Sequence, residues 1–108
     1  MDKRKHARFI KRLEARIIID HTSFWSKSGD LSESGLFIRT NRGCSVDTAV
    51  DIELSLPGNK VSFLKGIVRR TVRTPIPIMK NGIGIEITEK DETFRDFVKS
   101  ISGKINEY

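Results

Sequence analysis

The chain has 108 residues, of which 37% are apolar and 31% charged, a size and composition typical of one folded domain. No apolar run approaches the roughly 18 residues that a membrane span needs, and no apolar segment follows the basic N-terminus, so we expect no secretory signal and a cytoplasmic location. The single cysteine, Cys44, excludes an intramolecular disulfide, and His6 and His21 lack metal-ligand spacing, so no metal site is expected.

Positive charge is concentrated at the N-terminus. Residues 1–16 contain seven lysines and arginines but only two acidic residues, so they carry +5 of the net charge of +6. We therefore expect a flexible basic arm over residues 1–12 and a near-neutral domain over residues 13–108. Such an arm favours an anionic partner such as nucleic acid, a phosphorylated small molecule or a lipid surface, although a solubilising tail is equally compatible with it.

The segments that follow the arm have the apolar patterns of β-strands. Residues 50–56 and 82–87 alternate apolar with polar or glycine positions, and residues 15–19 and 36–38 are rich in apolar and β-branched side chains. Residues 61–72 are also β-rich, but Gly66 interrupts them, which predicts a bulge or a bend rather than one straight strand.

The periodicity changes from two to helical spacing near the C-terminus. Thr88 followed by Asp91 resembles a capping box, and Gly103 is expected to fray or end the helix. Five or six short strands followed by one helix predict an antiparallel barrel closed by that helix. The residues of the apolar helical stripe are Phe94, Phe97, Val98, Ile101 and Ile105.

Two short motifs stand out. The arm contains Arg4-x-x-x-Arg8, and the turn before residues 36–38 contains Asp30-x-Ser32-x-x-Gly35. Each motif alone is ordinary, because arginines four apart often form a solvated face and Asp, Ser and Gly are common turn residues. In this order and spacing, however, the pair resembles the PilZ domain family.

The resemblance covers nearly the whole chain, including the strand DIELSLPGN and the glycine-rich strand near the end. It implies a mostly β fold, a six-stranded antiparallel PilZ-type β-barrel with a C-terminal α-helix. It also implies a bacterial receptor for cyclic di-GMP, in which the arginines of a flexible loop hold the ligand against the barrel. The ligand-binding residues carried over by the two motifs are Arg4, Arg8, Asp30, Ser32 and Gly35.

These residue types suit that ligand chemically. A guanidinium binds phosphate through two parallel hydrogen bonds, bonds guanine O6 and N7 together, and stacks on a base. The carboxylate of Asp30 complements the N1–H and N2–H donors of guanine, whereas adenine presents an acceptor at N1. Ser32 adds one more hydrogen bond. Gly35 either leaves room for the ligand or arm, or supplies a left-handed turn.

Further cations are candidates for secondary ligand contacts. Lys3 and Lys5 flank Arg4 and could reach phosphates, although a solvated position is the commoner one for lysine. Arg69, Arg70 and Arg73 form a second basic cluster that either extends the anion site or, as we favour, faces solvent. Of these three, Arg70 is kept as the candidate contact.

No arrangement of catalytic residues is visible, so we expect a receptor rather than an enzyme, with no cofactor beyond its ligand and an output through a protein partner. The main alternative is a small basic barrel that binds single-stranded nucleic acid, which needs exposed aromatic side chains. Trp25 is predicted to pack, and Phe37 and Phe63 lie in apolar strand runs, so nucleic acid is not expected. A third possibility is a PilZ-type protein-interaction module without a ligand.

Overall fold

The computed structural model describes residues 8–73 and 81–105, and in this part of the chain seven strands precede one helix. The alternating segments form strands because each exposes one polar face and buries one apolar face. The elements are β1 (Phe9–Ile10), β2 (Glu14–Ile19), β3 (Thr22–Leu31), β4 (Gly35–Arg39), β5 (Ala49–Leu56), β6 (Lys60–Val72), β7 (Gly82–Glu89) and α1 (Glu92–Ile105).

The six longer strands close into a barrel in which every pairing is antiparallel. Hydrogen bonding runs in the order β3-β2-β5-β6-β7-β4, and β3 also pairs with β4, which completes the ring. The short strand β1 adds to the end of β3, where Phe9 lies opposite Leu31. The predicted six-stranded antiparallel barrel with a C-terminal helix is therefore confirmed.

The core fills the interior of the barrel and the space beneath the helix. The period-two pattern of β5 points Val50, Ile52, Leu54 and Leu56 inward, where each is at most 6% exposed. Phe94, from the first turn of the helix, is fully buried and belongs to the same core cluster as the strand residues. Phe97 is only partly buried, as expected for the edge of an amphipathic stripe.

Strand β6 differs from the sequence prediction because it runs unbroken through Gly66. Its irregularities lie in the pairing with β7, where the register shifts between Lys65 and Gly66 and again between Val68 and Arg70. A Cβ at Gly66 would stand 2.5 Å from Ile85 Cγ2 and 2.6 Å from the carbonyl oxygen of Glu86. The glycine thus allows β7 to approach closely, so the predicted bulge is confirmed but the predicted interruption of the strand is not.

The helix begins after Asp91, and Thr88 does not cap it. Asp91 Oδ1 accepts the backbone N–H of Phe94 at 2.9 Å and the Ser62 hydroxyl at 2.6 Å, while Oδ2 accepts the N–H of Phe63 at 2.8 Å. Thr88 belongs to β7, and its hydroxyl donates to the carbonyl of Lys65. Asp91 therefore caps the helix and ties it to β6 at the same time.

The helix also continues through Gly103 to Ile105, so of the two expectations for this glycine, fraying or ending the helix, the second is wrong. Its cost of about 1 kcal/mol relative to alanine is too small to stop a helix that packs on the barrel. Within the described part of the chain, no helix is long and apolar enough to cross a membrane.

Two aromatic side chains expected to be inside lie on the surface. Trp25 is 64% exposed and Phe63 is 62% exposed. The pairing register places them in one transverse row, in which Arg16 and Glu53 stand between them and form a 3.0 Å ion pair. Three strand-to-strand steps separate the two rings, half of the six-stranded circumference, so they face different sides of the barrel.

The network around Asp91 gives a test of the fold with a defined pH dependence. Burial acts to raise the pKa of Asp91, but hydrogen bonds from Ser62, Phe63 and Phe94 outweigh it, so the pKa lies below its ordinary value. A carboxyl with a lowered pKa stabilises the fold above its unfolded-state pKa of about 4 and loses this effect as the pH falls.

We expect Asp91→Ala to lower the free energy of unfolding by about 1–3 kcal/mol at pH 7, because a helix cap and two further bonds are lost. Urea denaturation at pH 7 and pH 3 measures this difference, which should shrink at pH 3. Glu89→Ala removes a carboxylate just before the helix and is the matched control. An undiminished difference at pH 3 would contradict the role of the ionised carboxylate.

Candidate ligand-binding groove

The turn between β3 and β4 is built around the hydroxyl of Ser32. Ser32 Oγ accepts the backbone N–H groups of Gly35 at 3.1 Å and Ser34 at 3.3 Å, and the Ser32 N–H donates to the carbonyl of Gly35 at 2.8 Å. Ser32 is 1% exposed. The serine therefore fixes the turn from within. Its direct contact with a ligand stays a prediction.

A bulge at Gly29 turns Asp30 outward. Ser28 lies opposite Ile38, but Asp30, two residues on, lies opposite Phe37, so Gly29 is the extra residue of β3. With strict alternation Asp30 would follow the buried Ser28 into the core. The bulge reverses the alternation. Leu31 is therefore buried and the Asp30 side chain is 39% exposed at the surface.

Arg8 joins the two sequence motifs. Its Nε and Nη2 donate to Asp30 Oδ1 at 2.9 and 2.5 Å, and its Nη1 lies 3.5 Å from Ser32 Oγ. The Arg8 side chain is 24% exposed, so the ion pair is partly screened by solvent. The structure thus brings Arg8, Asp30 and Ser32 together, as the resemblance implied for the ligand site.

Gly35 lies where the side chain of Arg8 approaches the turn. A Cβ there would stand 3.1 Å from Arg8 Nη1 and 3.4 Å from the carbonyl oxygen of Ile85. Its backbone does not have a left-handed φ, which decides between the two explanations left open by the sequence. The missing side chain gives the Arg8 guanidinium room beside the turn.

The arm is docked where the structure describes it. Phe9 and Ile10 pair with Leu31 and Asp30 as strand β1, and Phe9 packs on the core. The expectation of a loose arm therefore does not describe residues 8–10. They are docked because an ion pair, two strand pairings and one apolar side chain offset the charge repulsion. Lys3, Arg4 and Lys5 lie outside the described residues.

Arg70 extends the site along the neighbouring strands. The register places Phe37, Gly84 and Arg70 directly opposite one another on β4, β7 and β6. Because Gly84 has no side chain, the Arg70 guanidinium reaches across it and lies 5.9 Å from the centre of the Phe37 ring. Arg70 is exposed, as favoured from the sequence, but it also lines the groove beside Arg8.

Sequence reasoning missed Phe37 and Gly84 as parts of this surface. The signal was present in the alternation of residues 82–86, because two glycines on one face of a strand leave a gap that larger neighbours can fill. The sequence places Phe37 in an apolar run between Leu36 and Ile38, which gives no sign that its side chain faces the surface. Those two neighbours are buried, so period two turns Phe37 to the other face.

Arg69 and Arg70, two neighbouring arginines of the groove, have different electrostatic surroundings. Arg69 donates to Glu86 at 2.7 Å and to Asp47 at 3.0 Å, and the bond to Glu86 is the main cause of its raised pKa. Arg69 is thus held by two carboxylates, whereas Arg70 contacts the Phe37 ring. We expect Arg70 to be more available to an anion than Arg69.

The resulting groove has a volume of about 540 Å³. Small-molecule sites typically span about 300–1,000 Å³. Two other grooves, of about 440 and 650 Å³, contain no motif residue. The lining of the 540 Å³ groove includes Arg8, Asp30, Gly35, Phe37, Arg69, Arg70, Gly84 and Glu86.

The described residues offer neither a metal site nor a reactive thiol. Among them, no group of histidine, cysteine and carboxylate side chains could hold a metal ion. Burial raises the pKa of Cys44 despite nearby Arg42, so this thiol is not activated.

A closed antiparallel barrel with an arginine-lined groove beside its N-terminal arm defines the class of small β-barrel domains to which this chain belongs, and comparison with known proteins identifies its family. The PilZ domain model matches residues 2–102, so the chain belongs to the PilZ domain family. PilZ domains are receptor and adaptor domains, and the resemblance stated from the sequence is confirmed. No curated protein sequence matches the chain.

Two solved structures share the fold. The Bacillus subtilis inhibitor of motility, MotI/DgrA, superimposes with a TM-score of 0.80 at 17% identity, covering 100% of this chain and 54% of its own. This chain therefore spans about half the length of that one. The PilZ domain of YcgR from Escherichia coli, solved with c-di-GMP, gives a TM-score of 0.65 at 13% identity, covering 93% and 88% of the two chains.

Gly35 gives a test of the groove geometry. In Gly35→Ala the new methyl would displace the Arg8 guanidinium by a few tenths of an ångström and crowd the Ile85 carbonyl. We expect the signal of Arg8 Nε–H to shift in the NMR spectrum, with a loss of stability of about 1–2 kcal/mol. Gly58→Ala is not a matched control because its φ is +80°, so Gly84→Ala, with contacts no shorter than 3.5 Å, serves instead. An unchanged Arg8 signal would contradict the close approach.

Proposed function

We propose that this protein is a receptor for cyclic di-GMP, and that the ligand binds in the groove formed by Arg8, the Asp30–Gly35 turn and Arg70. The observation that carries the proposal is the contact between the two motifs. Arg8 lies within hydrogen-bonding distance of Asp30 and Ser32 at the edge of one groove, in a chain that belongs to the PilZ family. The c-di-GMP in the YcgR structure supports this choice of ligand.

The groove offers complementary groups for each part of the ligand. Cyclic di-GMP carries two phosphodiester charges and two guanine bases. Arg8 and, by the motif, Arg4 would bind a phosphate through paired N–H groups or bond guanine at O6 and N7. Asp30 would accept the N1–H and N2–H of a guanine. Lys3 and Lys5 are proposed as additional phosphate contacts.

Arg70 and Phe37 would form a flat surface on which a base could stack, and the Arg70 guanidinium could also bind a phosphate. A guanidinium stacked near an aromatic ring presents both a π face and a charge. Gly84 between them keeps this surface open. The proposal thus adds Phe37 and Gly84 to the residues that the motifs supply.

Binding would act as a signal by changing the partners of Arg8. In the structure both of its strong bonds go to Asp30 Oδ1. A guanine edge on Asp30, or a phosphate on Arg8, competes for the same groups, so ligand binding would rearrange residues 8–10. We propose that a protein partner recognises this rearranged surface, and we propose no catalytic step and no cofactor.

Single-stranded nucleic acid is the weaker candidate. Trp25 and Phe63 are exposed, but they lie half a circumference apart and the Arg16–Glu53 ion pair separates them. Successive bases could not stack on both rings along one strand. An interaction module without a ligand would use Arg8 and Asp30 only to dock the arm, and it would leave the groove lined by Arg8 and Arg70 without a role.

Arg8→Ala should weaken cyclic di-GMP binding by about 10- to 100-fold, because charge-assisted hydrogen bonds contribute about 1.5–3 kcal/mol. By the motif, Arg4→Ala should have a similar effect. Isothermal titration calorimetry measures both. Arg12→Ala is the matched control. It also removes one arginine from the arm, but the Arg12 side chain is exposed. Equal losses in Arg8→Ala and Arg12→Ala would reduce the effect to net charge and refute the specific contact.

The same titration tests base recognition. Cyclic di-AMP should bind at least about tenfold more weakly than cyclic di-GMP, because adenine N1 is an acceptor and would face the Asp30 carboxylate. Asp30→Ala should reduce this preference. Asp51→Ala, on the outer face of β5, removes a carboxylate remote from the groove and should leave the preference intact. Similar affinities of the wild type for both dinucleotides would show that only phosphates are recognised.

A further inference from the structure

The three residues that join β1 to β2 occupy an irregular place beside β3. Ile10 lies opposite Asp30 and Glu14 lies opposite Lys27, so residues 11–13 face only Ser28 and Gly29. The arm side of this pairing therefore contains one residue more than β3 does. Such a bulge interrupts the ladder and leaves backbone groups that need other partners.

Ser28 supplies those partners. Its backbone N–H donates to the carbonyl of Leu13 at 2.9 Å, and its hydroxyl accepts the N–H of Leu13 at 2.9 Å. The same hydroxyl donates to the carbonyl of Lys11. Ser28 is fully buried, at 0% exposure. One interior side chain thus bonds both ends of the linker.

We propose that Ser28 is a positioning residue for ligand binding, which fixes the point where the arm leaves the barrel and so holds Arg8 over the groove. This inference rests on the proposed function. Arg8 precedes Lys11 by three residues, and a chain of that length spans at most about 10 Å. Fixing Lys11 therefore confines Arg8 to the rim of the groove.

The Ser28 bonds and the Arg8 bonds are independent of each other. Ser28 holds main-chain groups of Lys11 and Leu13, whereas Arg8 is held through its side chain by Asp30. Arg8 can therefore exchange Asp30 for a ligand while the linker stays in place. Because the Ser28 bonds already hold Lys11 and Leu13, ligand binding costs no ordering entropy at these two residues.

The chain offers a matched control in Ser62. This serine is also 0% exposed, lies in a strand and uses its hydroxyl in a hydrogen bond, but that bond goes to Asp91 at the start of the helix. Ser62 lies opposite Leu54 of β5, and it does not line the groove. Ser62→Ala should therefore lower stability without moving Arg8.

The experiment combines amide hydrogen exchange with calorimetric titration of cyclic di-GMP. In Ser28→Ala we expect faster exchange at residues 9–13 and an affinity about tenfold weaker, as two hydrogen bonds of ordinary strength would give. In Ser62→Ala we expect wild-type exchange in the arm and wild-type affinity. Unchanged affinity in Ser28→Ala, or equal weakening in both variants, would overturn the proposal.

Two outcomes remain distinguishable from these. If Ser28→Ala does not fold, the exchange rate of the Leu13 amide in the wild type decides, since the proposal requires protection comparable with β2 and an unprotected amide overturns it. If the wild type does not bind cyclic di-GMP, the proposed function fails. The positioning of the arm is then judged by exchange alone, in which Ser28→Ala must still release residues 9–13 for the Ser28 contact to stand.

Discussion

The structure depends on the pairings of one strand. β3 bonds β2 along residues 22–27, bonds β1 at Asp30 and Leu31, and bonds β4 on its other edge. The β3–β4 pairing closes the barrel. The end of the same strand provides Asp30 and leads directly into the Ser32 turn. Barrel closure and the groove are therefore set by the same backbone.

The bulge at Gly29 reconciles the two demands on this strand. Residues near Ser28 must bury small or apolar side chains, but the groove needs a carboxylate at its surface. A single extra residue changes which face Asp30 occupies and leaves Leu31 in the core. A Cβ at Gly29 would approach the Phe37 ring to 3.2 Å, so a glycine suits this position. A local irregularity in the pairing thus places the most specific functional group.

Sequence patterns predicted the barrel because its strands alternate regularly and its helix has a clear apolar stripe. They also predicted that Arg8, Asp30, Ser32 and Gly35 form one site, because the order and spacing of the two motifs resemble the PilZ family. They did not predict the exposure of Trp25, because large aromatic residues are more often packed than exposed, and exposure depends on which strand lies beside them.

Other features depended on contacts between distant parts of the chain. Asp91 caps the helix because β6 brings Ser62 and the N–H of Phe63 to its carboxylate. Local spacing instead favoured Thr88. Arg70 joins the groove because Gly84, fourteen residues later, leaves a gap beside it. The docking of the arm likewise depends on Ser28 and Asp30 of β3. The sequence of residues 1–12 alone could not predict these contacts.

The central claim is that cyclic di-GMP binds in the groove between Arg8 and Arg70. NMR titration of the intact protein with this dinucleotide tests the claim most directly, because each backbone amide reports its own surroundings. The account predicts saturable shifts at Gly35, Gly84 and Arg70, with small changes at Val61 and Phe63 on the distant face. Shifts confined to that distant face, or no shifts at all with millimolar ligand, would contradict it.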